Sequence, residues 1–177
     1  MEMEMETEAM RYDSYETKEQ IVRLSFYRHE HEAALQAFEL PEEQARFTAL
    51  PGEVLELSLN DENRYPVVIL AGDMPVGFFV LHRGEVTVPF SDNPNAILLR
   101  AFSVDRAHQG RGYGKRAMRT AAAFVAEHFP GVEEIVLAVN EQNHIAKRLY
   151  EASGFRDTGR QRQGSIGMQH ILSLSLE

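Results

Sequence analysis

Three glycines spaced two residues apart, within Gln109–Lys115, constrain this chain more than any other feature of its sequence. The stretch reads Gln-Gly-Arg-Gly-Tyr-Gly-Lys, follows the apolar run Ala96–Val104 and opens the helical pattern Gly112–His128. Glycines let several backbone N–H groups approach one point because no Cβ stands in the way. A helix N-terminus adds unpaired N–H donors and the positive end of its dipole. Strand, glycine turn and helix start together predict an anion site, most often for phosphate.

Two well-known phosphate motifs fail on spacing. A P-loop needs a glycine five positions before its Gly-Lys pair, where this chain has Gln109, and Ser or Thr after it, where this chain has Arg116. A dinucleotide fingerprint needs its third glycine one position later than Gly114. A plain tight turn stays open as the alternative, although the nearby cations Arg111 and Lys115 favour phosphate.

Composition narrows the class of protein. A chain of 177 residues, 44% hydrophobic and 25% charged, is typical of one globular domain with a sizeable core. The net charge of −9 argues against a nucleic-acid partner and would suit a cationic substrate. The absence of cysteine excludes disulfides, thiolate metal ligands and a cysteine nucleophile. The histidines lack the H-x-x-x-H spacing of a helical metal pair, so no metal site is predicted.

The N-terminal segment differs from the rest of the chain. Residues 1–18 alternate methionine with glutamate and then turn polar, which predicts a disordered arm before a single domain over 19–177. The segment lacks the basic start and apolar middle of a signal peptide. No apolar run approaches the roughly 20 residues of a membrane helix. We therefore expect a cytoplasmic location and no membrane partner.

Hydrophobic periodicity and turn residues predict an α/β (α+β) chain. Residues 83–95 read as a long loop, with a short strand piece at 86–88. Pro51-Gly52 is expected to follow the end of the second helix. The expected strands are 21–27, 66–71, 76–82, 96–104, 134–139, 155–160 and 168–176, and the expected helices are 31–40, 41–49, 112–128 and 143–153.

Two motifs in this order resemble the GCN5-related N-acetyltransferases (GNAT). Gln109–Gly114 matches the family's pyrophosphate loop, Q/R-x-x-G-x-G/A, and Asn143–Phe155 matches its N-x-x-A-x-x-L-Y-x-x-x-G-F. The resemblance covers roughly residues 66–176. It implies the GNAT fold, a mixed central sheet of about six to seven strands with helices on both faces. The sheet would splay between the strands ending at Val104 and Val139.

The resemblance also implies acetyl-CoA as the acyl donor, bound in the splay. Backbone amides of Gln109–Lys115 would hold the pyrophosphate, and backbone groups of Phe102–Val104 would pair with the pantetheine arm. The amide of Phe102 or Ser103 would point at the thioester oxygen. Asn143 would bond the arm, or would simply cap its helix. The cofactor-binding residues implied are Phe102, Ser103, Val104, Gln109, Gly110, Arg111, Gly112, Tyr113, Gly114, Lys115, Asn143 and Tyr150.

Tyr150 matches the family's usual acid, which protonates the leaving thiolate. From spacing alone it is a core aromatic, since Ile145, Ala146 and Leu149 share its helix face; the motif around it favours the acid. The attacking amine must first lose a proton, at a cost of about 4–5 kcal/mol at neutral pH for a lysine-like group.

The base for that proton is not assigned by the resemblance. Leu98 stands where many relatives carry a glutamate. Water is an equal alternative to any side chain. The remaining candidates, each more typical of a solvated surface, are His82, Glu85, Asp92 and Glu141.

The predicted activity is direct transfer of acetyl to a primary amine of a small molecule. Leu99-Arg100-Ala101-Phe102 also resembles the bacterial diamine and polyamine branch of the family. Two alternatives stay open: a protein lysine or N-terminal acetyltransferase, and an acyl-CoA-binding module without catalysis. The apolar segment Ile171–Leu176 could pair two copies into a homodimer.

Overall fold

The structure, a computed structural model, describes residues 21–176; the arm expected over residues 1–18 lies outside them. Its described part holds seven strands and five helices in the α/β arrangement that the sequence predicts. The strands are β1 (Val22–Phe26), β2 (Arg64–Ala71), β3 (Met74–His82), β4 (Ala96–Val104), β5 (Glu134–Asn140), β6 (Arg156–Gly164) and β7 (Gly167–Ser175). The helices are α1 (Glu32–Gln36), α2 (Glu42–Ala45), α3 (Pro51–Leu59), α4 (Tyr113–His128) and α5 (His144–Ala152).

All seven strands form one mixed sheet in the order β1-β2-β3-β4-β5-β7-β6. Neighbours are antiparallel except β4 and β5, which are parallel. This parallel pair is joined by α4, since a parallel connection needs a crossover. The expected mixed sheet is therefore confirmed, and its one parallel pair lies in the middle.

The predicted splay is present between β4 and β5. Only Ala96–Leu98 pairs with Glu134–Val136, although β4 continues to Val104 and β5 to Asn140. The far edge of β5 stays paired with β7 along its whole length. The two strands therefore diverge toward their carboxyl ends, and backbone groups of β4 beyond Leu98 face the gap.

Side chains of the sheet alternate between two apolar layers, as strand geometry requires. On one face, Ile69 and Phe79 belong to the cluster that contains Met118 and Val125 of α4. On the other face, Val68, Leu70, Phe78 and Val80 pack with Leu35 of α1, Leu55 of α3 and Phe38, which follows α1. No helix within residues 21–176 is long and apolar enough to span a membrane.

The helices before β2 differ from the prediction. Pro51-Gly52, expected to follow a helix, begins α3, because proline at a first helical position loses no hydrogen bond. The expected helices 31–40 and 41–49 shorten to Glu32–Gln36 and Glu42–Ala45. The strand piece expected at 86–88 is wrong: Glu85–Thr87 forms a 3-10 turn.

Candidate active site

A cleft of about 1090 Å³ opens where β4 and β5 separate. Its walls come from β4, the glycine stretch, the start of α5, the segment between α2 and α3, and the β6–β7 turn. Two exposed apolar side chains, Ile145 and Ile166, lie at this cleft. Apolar groups facing an open cleft between two strands suit a long, partly apolar molecule.

The three glycines of the opening motif do two different jobs. Gly110 and Gly112 have φ values of 81° and 78°, which other residues adopt only with strain. Gly114 has ordinary helical geometry but leaves little room for a side chain: a Cβ there would lie 3.1 Å from Phe102 Cζ and 3.3 Å from Leu149 Cδ1, so these side chains would have to move slightly. Two glycines thus shape the turn, and the third lets α4 approach β4 and α5.

The Gln109 side chain holds the glycine turn in place through hydrogen bonds. Its Nε2 donates hydrogen bonds to the carbonyl oxygen of Val104 at 2.8 Å and to Gln44 Oε1 at 2.9 Å. The side chain therefore ties the turn to the end of β4 and to α2. Lys115 is exposed at the cleft, whereas Arg111 is exposed but does not line it.

β4 contains a β-bulge where it lines the cleft. The register passes from Val80↔Arg100 to Phe78↔Ser103, which leaves one extra residue on β4. Ala101, at this bulge, has a φ of 56°, a conformation that costs a residue with a Cβ about 1–2 kcal/mol. Ser103 Oγ is buried without a hydrogen-bond partner. Phe102–Val104 line the cleft together, as the resemblance implies.

Tyr150 lies in the wall of the cleft and also in the core. It is 7% exposed, and its ring centroid lies 5.9 Å from that of Phe102 and 5.8 Å from that of Phe155. Burial raises the pKa of its phenol. The group therefore keeps its proton at neutral pH and can donate a hydrogen bond into the cleft.

Asn143 begins α5 and lines the cleft. Its Oδ1 accepts a hydrogen bond from the backbone N–H of Ala146 at 3.3 Å, which confirms the helix cap. The cap leaves the two amide N–H donors of the side chain available, so a second role in the cleft stays a prediction.

The four candidate bases lie away from the cleft lining. Glu85 and Glu141 are exposed on the surface, and exposed Asp92 accepts from Arg160 at 2.8 Å. His82 is buried; its pKa is lowered by burial first, then by the charges of Arg64 and Arg100. Leu98 is buried.

A smaller pocket of about 320 Å³ adjoins the cleft across Arg100 and Ala101. Sequence reasoning missed this pocket and its cations, because its charged residues come from three strands that are distant along the chain. Three arginines line it: Arg64, Arg100 and Arg162. Burial and the charges of Arg64 and Arg162 lower the pKa of Arg100.

Among the described residues, four buried side-chain polar atoms lack a hydrogen-bond partner, and all four belong to residues of the cleft or the adjoining pocket. Native interiors rarely leave such atoms unpaired. Arg64 Nε lies 3.4 Å from Asp61 Oδ2 in an ion pair, so the other three atoms are the ones that favour a bound molecule in this region. The four atoms are Thr48 Oγ1, Arg64 Nε, Ser103 Oγ and Gln169 Oε1.

Comparison with known sequences agrees with this geometry. Residues 23–155 match the model of the acetyltransferase (GNAT) family. A Bacillus subtilis protein named as the uncharacterized N-acetyltransferase YbbJ is 51% identical over 154 residues, which cover 86% of this chain and 96% of that protein.

Solved structures share the fold. An aminoglycoside acetyltransferase AAC(6')-Ib, in complex with coenzyme A and kanamycin, superimposes with a TM-score of 0.70 at 18% identity, over 88% of this chain and 95% of the other. A spermidine N-acetyltransferase from Vibrio cholerae, in complex with CoA and spermine, gives a TM-score of 0.65 at 14% identity, with coverages of 88% and 95%.

Proposed function

This chain belongs to the acetyltransferase (GNAT) family and is an acetyl-CoA-dependent N-acetyltransferase; we propose that it moves acetyl directly to the primary amine of a small molecule. One observation carries the proposal. The cleft between β4 and β5 continues past Ala101 into a pocket of about 320 Å³. That pocket is large enough for a small acceptor.

The described residues suit the donor along the whole cleft. We assign the pyrophosphate to backbone amides of the turn from Gln109 to Lys115, with the charge of Lys115 beside them. Tyr113 and Gly114 begin α4 there, so the positive end of that helix adds to the site. Arg111 does not line the cleft and is assigned to the turn by its backbone alone.

Next along the cleft, the unpaired edge of β4 over Phe102–Val104 is assigned to the pantetheine arm, which would add to it like a short strand. The Asn143 side chain supplies a further donor from the opposite wall. The amide of Phe102 or Ser103 is assigned as the donor to the thioester oxygen. Acetyl-CoA itself supplies the acetyl group as an activated thioester.

We assign Tyr150 as the proton donor to the sulfur that leaves. A thiol has an ordinary pKa of about 8.5 and a phenol about 10, and burial raises the pKa of Tyr150 further. Complete transfer to a free thiolate is therefore uphill. The phenol contributes mainly a hydrogen bond that strengthens as negative charge develops on sulfur.

The acceptor amine must arrive neutral or lose its proton within the cleft. His82, Glu85, Asp92 and Glu141 do not line the cleft, so we assign none of these four as the base. Other titratable side chains, Glu43, Glu53, His108 and His144, do line it, and we assign the proton to water that these groups can contact. Arginines near the amine would also lower its pKa, because like charges disfavour the protonated form.

Release of free CoA from acetyl-CoA, measured against a panel of small primary amines, tests the proposal. We expect turnover above the water blank for at least one small amine and none for peptides with a lysine or free N-terminus. Turnover of peptides alone would replace the proposal with the protein acetyltransferase. No turnover with either class would remove it.

A further inference from the structure

The pocket beside the cleft is cationic in a protein that is acidic overall. Arg64 at the start of β2, Arg100 in β4 and Arg162 in β6 line it, and no acidic residue does. The chain as a whole carries a net charge of −9. The charge of the pocket is therefore a local arrangement that the fold creates, opposite in sign to that of the protein.

Only one of the three arginines has an acidic partner in the described part of the chain. Arg64 Nε lies 3.4 Å from Asp61 Oδ2. Arg100 Nη1 donates to His82 Nδ1 at 3.4 Å, a neutral partner in that geometry. Arg162 stacks over the Phe90 ring at 4.6 Å, which leaves its in-plane N–H donors free of a carboxylate.

Three guanidinium groups with one carboxylate beside them still repel one another, so the cluster is stabilised when a further anion joins it. A planar guanidinium binds a carboxylate or phosphate through two parallel N–H···O bonds. Arg64 and Arg162 are partly buried, whereas Arg100 is exposed. A bond to a partly buried guanidinium gains more than one to an exposed guanidinium, since water screens it less.

Two buried side-chain oxygens without a hydrogen-bond partner lie in residues between the pocket and the cleft. Thr48 Oγ1 and Gln169 Oε1 belong to residues that line both spaces. Gln169 Oε1 can only accept a hydrogen bond, and a primary amine is a donor of the right kind. The region thus offers an acceptor atom for an amine beside donors for an anion.

We propose that the acceptor is a small primary amine that also carries an oxyanion, a carboxylate or a phosphate, which Arg100 and Arg162 bind. This rests on the proposed function and names its substrate class. The same arginines repel a second ammonium group, so diamines and polyamines are expected to be poor acceptors.

Amines matched in length and differing in terminal charge test the proposal. The measurement is kcat/KM for CoA release with glycine, β-alanine and 4-aminobutanoate, each beside the alkylamine and the diamine of equal chain length. The pair 2-aminoethyl phosphate and ethanolamine separates phosphate from carboxylate. We expect at least one anionic amine to exceed its neutral and cationic counterparts by about ten- to a hundredfold. Equal or better turnover of the neutral or cationic amines leaves the proposed function standing and overturns this inference.

Charge removal in the pocket gives the second test. Arg162→Gln and Arg100→Gln are expected to raise KM for the preferred anionic amine by about tenfold or more and to leave KM for acetyl-CoA nearly unchanged. Arg160→Gln is the matched control. It lies on the same strand, pairs with Asp92 and does not line the pocket. A similar KM rise in Arg160→Gln and Arg162→Gln would contradict the assignment.

A binding measurement keeps the inference falsifiable without turnover. In the presence of CoA, N-acetyl-β-alanine or N-acetyl-4-aminobutanoate should raise the melting temperature more than the matching N-alkylacetamide. The difference should vanish in Arg162→Gln and persist in Arg160→Gln. If no anionic compound of either series, nor 2-acetamidoethyl phosphate, stabilises the wild-type protein, the inference is wrong even if the protein proves to acetylate other amines.

Discussion

Single residues in this site serve packing and chemistry at once. Tyr150 is a core aromatic by its contacts with Phe102 and Phe155 and a cleft residue by its position. The motif around Tyr150 predicts its place in the cleft, because that place depends on one helix face. Arg100 and Arg162 could not be assigned in this way, since they come from β4 and β6, which β5 and β7 separate in the sheet, and only the folded chain brings both to one pocket.

Replacement of Tyr150 by phenylalanine keeps the ring and removes the proton donor. We expect Tyr150→Phe to lower kcat by about a hundredfold, the usual loss when one hydrogen-bond donor to a developing negative charge is removed. KM for acetyl-CoA should change little, because the ring contacts remain. Steady-state kinetics with the best amine of the panel provides the measurement. Tyr65→Phe, in the packing of β2 against Phe26 and Phe129, is the matched control and should retain kcat. An unchanged kcat in Tyr150→Phe would reject the acid assignment.

Elements with a strong local pattern were predicted well, and those stabilised mainly by tertiary contacts were not. β4 runs from Ala96 to Val104 as expected, because a short, mostly apolar run followed by a glycine-rich turn favours a buried strand over a helix. α3 was missed because Pro51-Gly52 is read as a helix stop, and only the packing of Leu55 against the sheet shows it to be a start. The positions of the two motifs, on the β4–α4 turn and on α5, followed from the sequence.

The glycine turn can be tested by comparing alanine substitutions at Gly110 and at Gly131, a glycine in a similar turn elsewhere. Gly110 and Gly131 have φ values of 81° and 95°, and neither would place a Cβ within 4 Å of another atom. Alanine at either position should lower the free energy of unfolding by about 1–2 kcal/mol through backbone strain alone. Chemical denaturation measures this loss.

The two variants should differ in their KM for acetyl-CoA. Only Gly110→Ala is expected to raise KM for acetyl-CoA, by about tenfold, since it distorts a turn whose N–H groups bind charge. Gly131→Ala lies after the far end of α4 and should keep KM. Equal KM values in both variants would show that the turn does not hold the pyrophosphate.

For the whole molecule, the net charge and the local charge of the pocket beside the cleft have opposite signs. An overall charge of −9 suited a cationic substrate on composition alone, while the fold gathers arginines where the acceptor is assigned. The mixed sheet and its splay, by contrast, were predictable, because the order of strands and helices with two motifs in register leaves few topologies.

Two buried histidines make stability depend on pH. Burial is the first cause that lowers the pKa of His31 and of His82, and His31 Nδ1 accepts the backbone N–H of Arg28 at 3.1 Å. The unfolded state therefore binds more protons than the folded state. The ordinary pKa of histidine is about 6.5. The contribution of the two histidines to the free energy of unfolding should be complete above about that pH and should fall as the pH drops below it.

Chemical denaturation at pH 7.5 and pH 5.5 measures this dependence. His31→Gln should reduce the slope, since one of the two responsible groups is gone. His29→Gln is the control, because the His29 side chain is 94% exposed. Stability that rises on acidification would contradict the assignment.

Because of the gap between β4 and β5, the stability of the enzyme should depend on the concentration of acetyl-CoA. The two halves of the sheet are joined at β4 and β5 by three residue pairs. A donor bound in the gap would contact both halves and stabilise their association. Ligand at a hundred times its Kd adds about 2.7 kcal/mol to the free energy of unfolding. Hydrogen exchange of the β4 amides beyond Leu98 should slow with added CoA. A low supply of acetyl-CoA would then leave this gap less protected against exchange than it is in the bound enzyme.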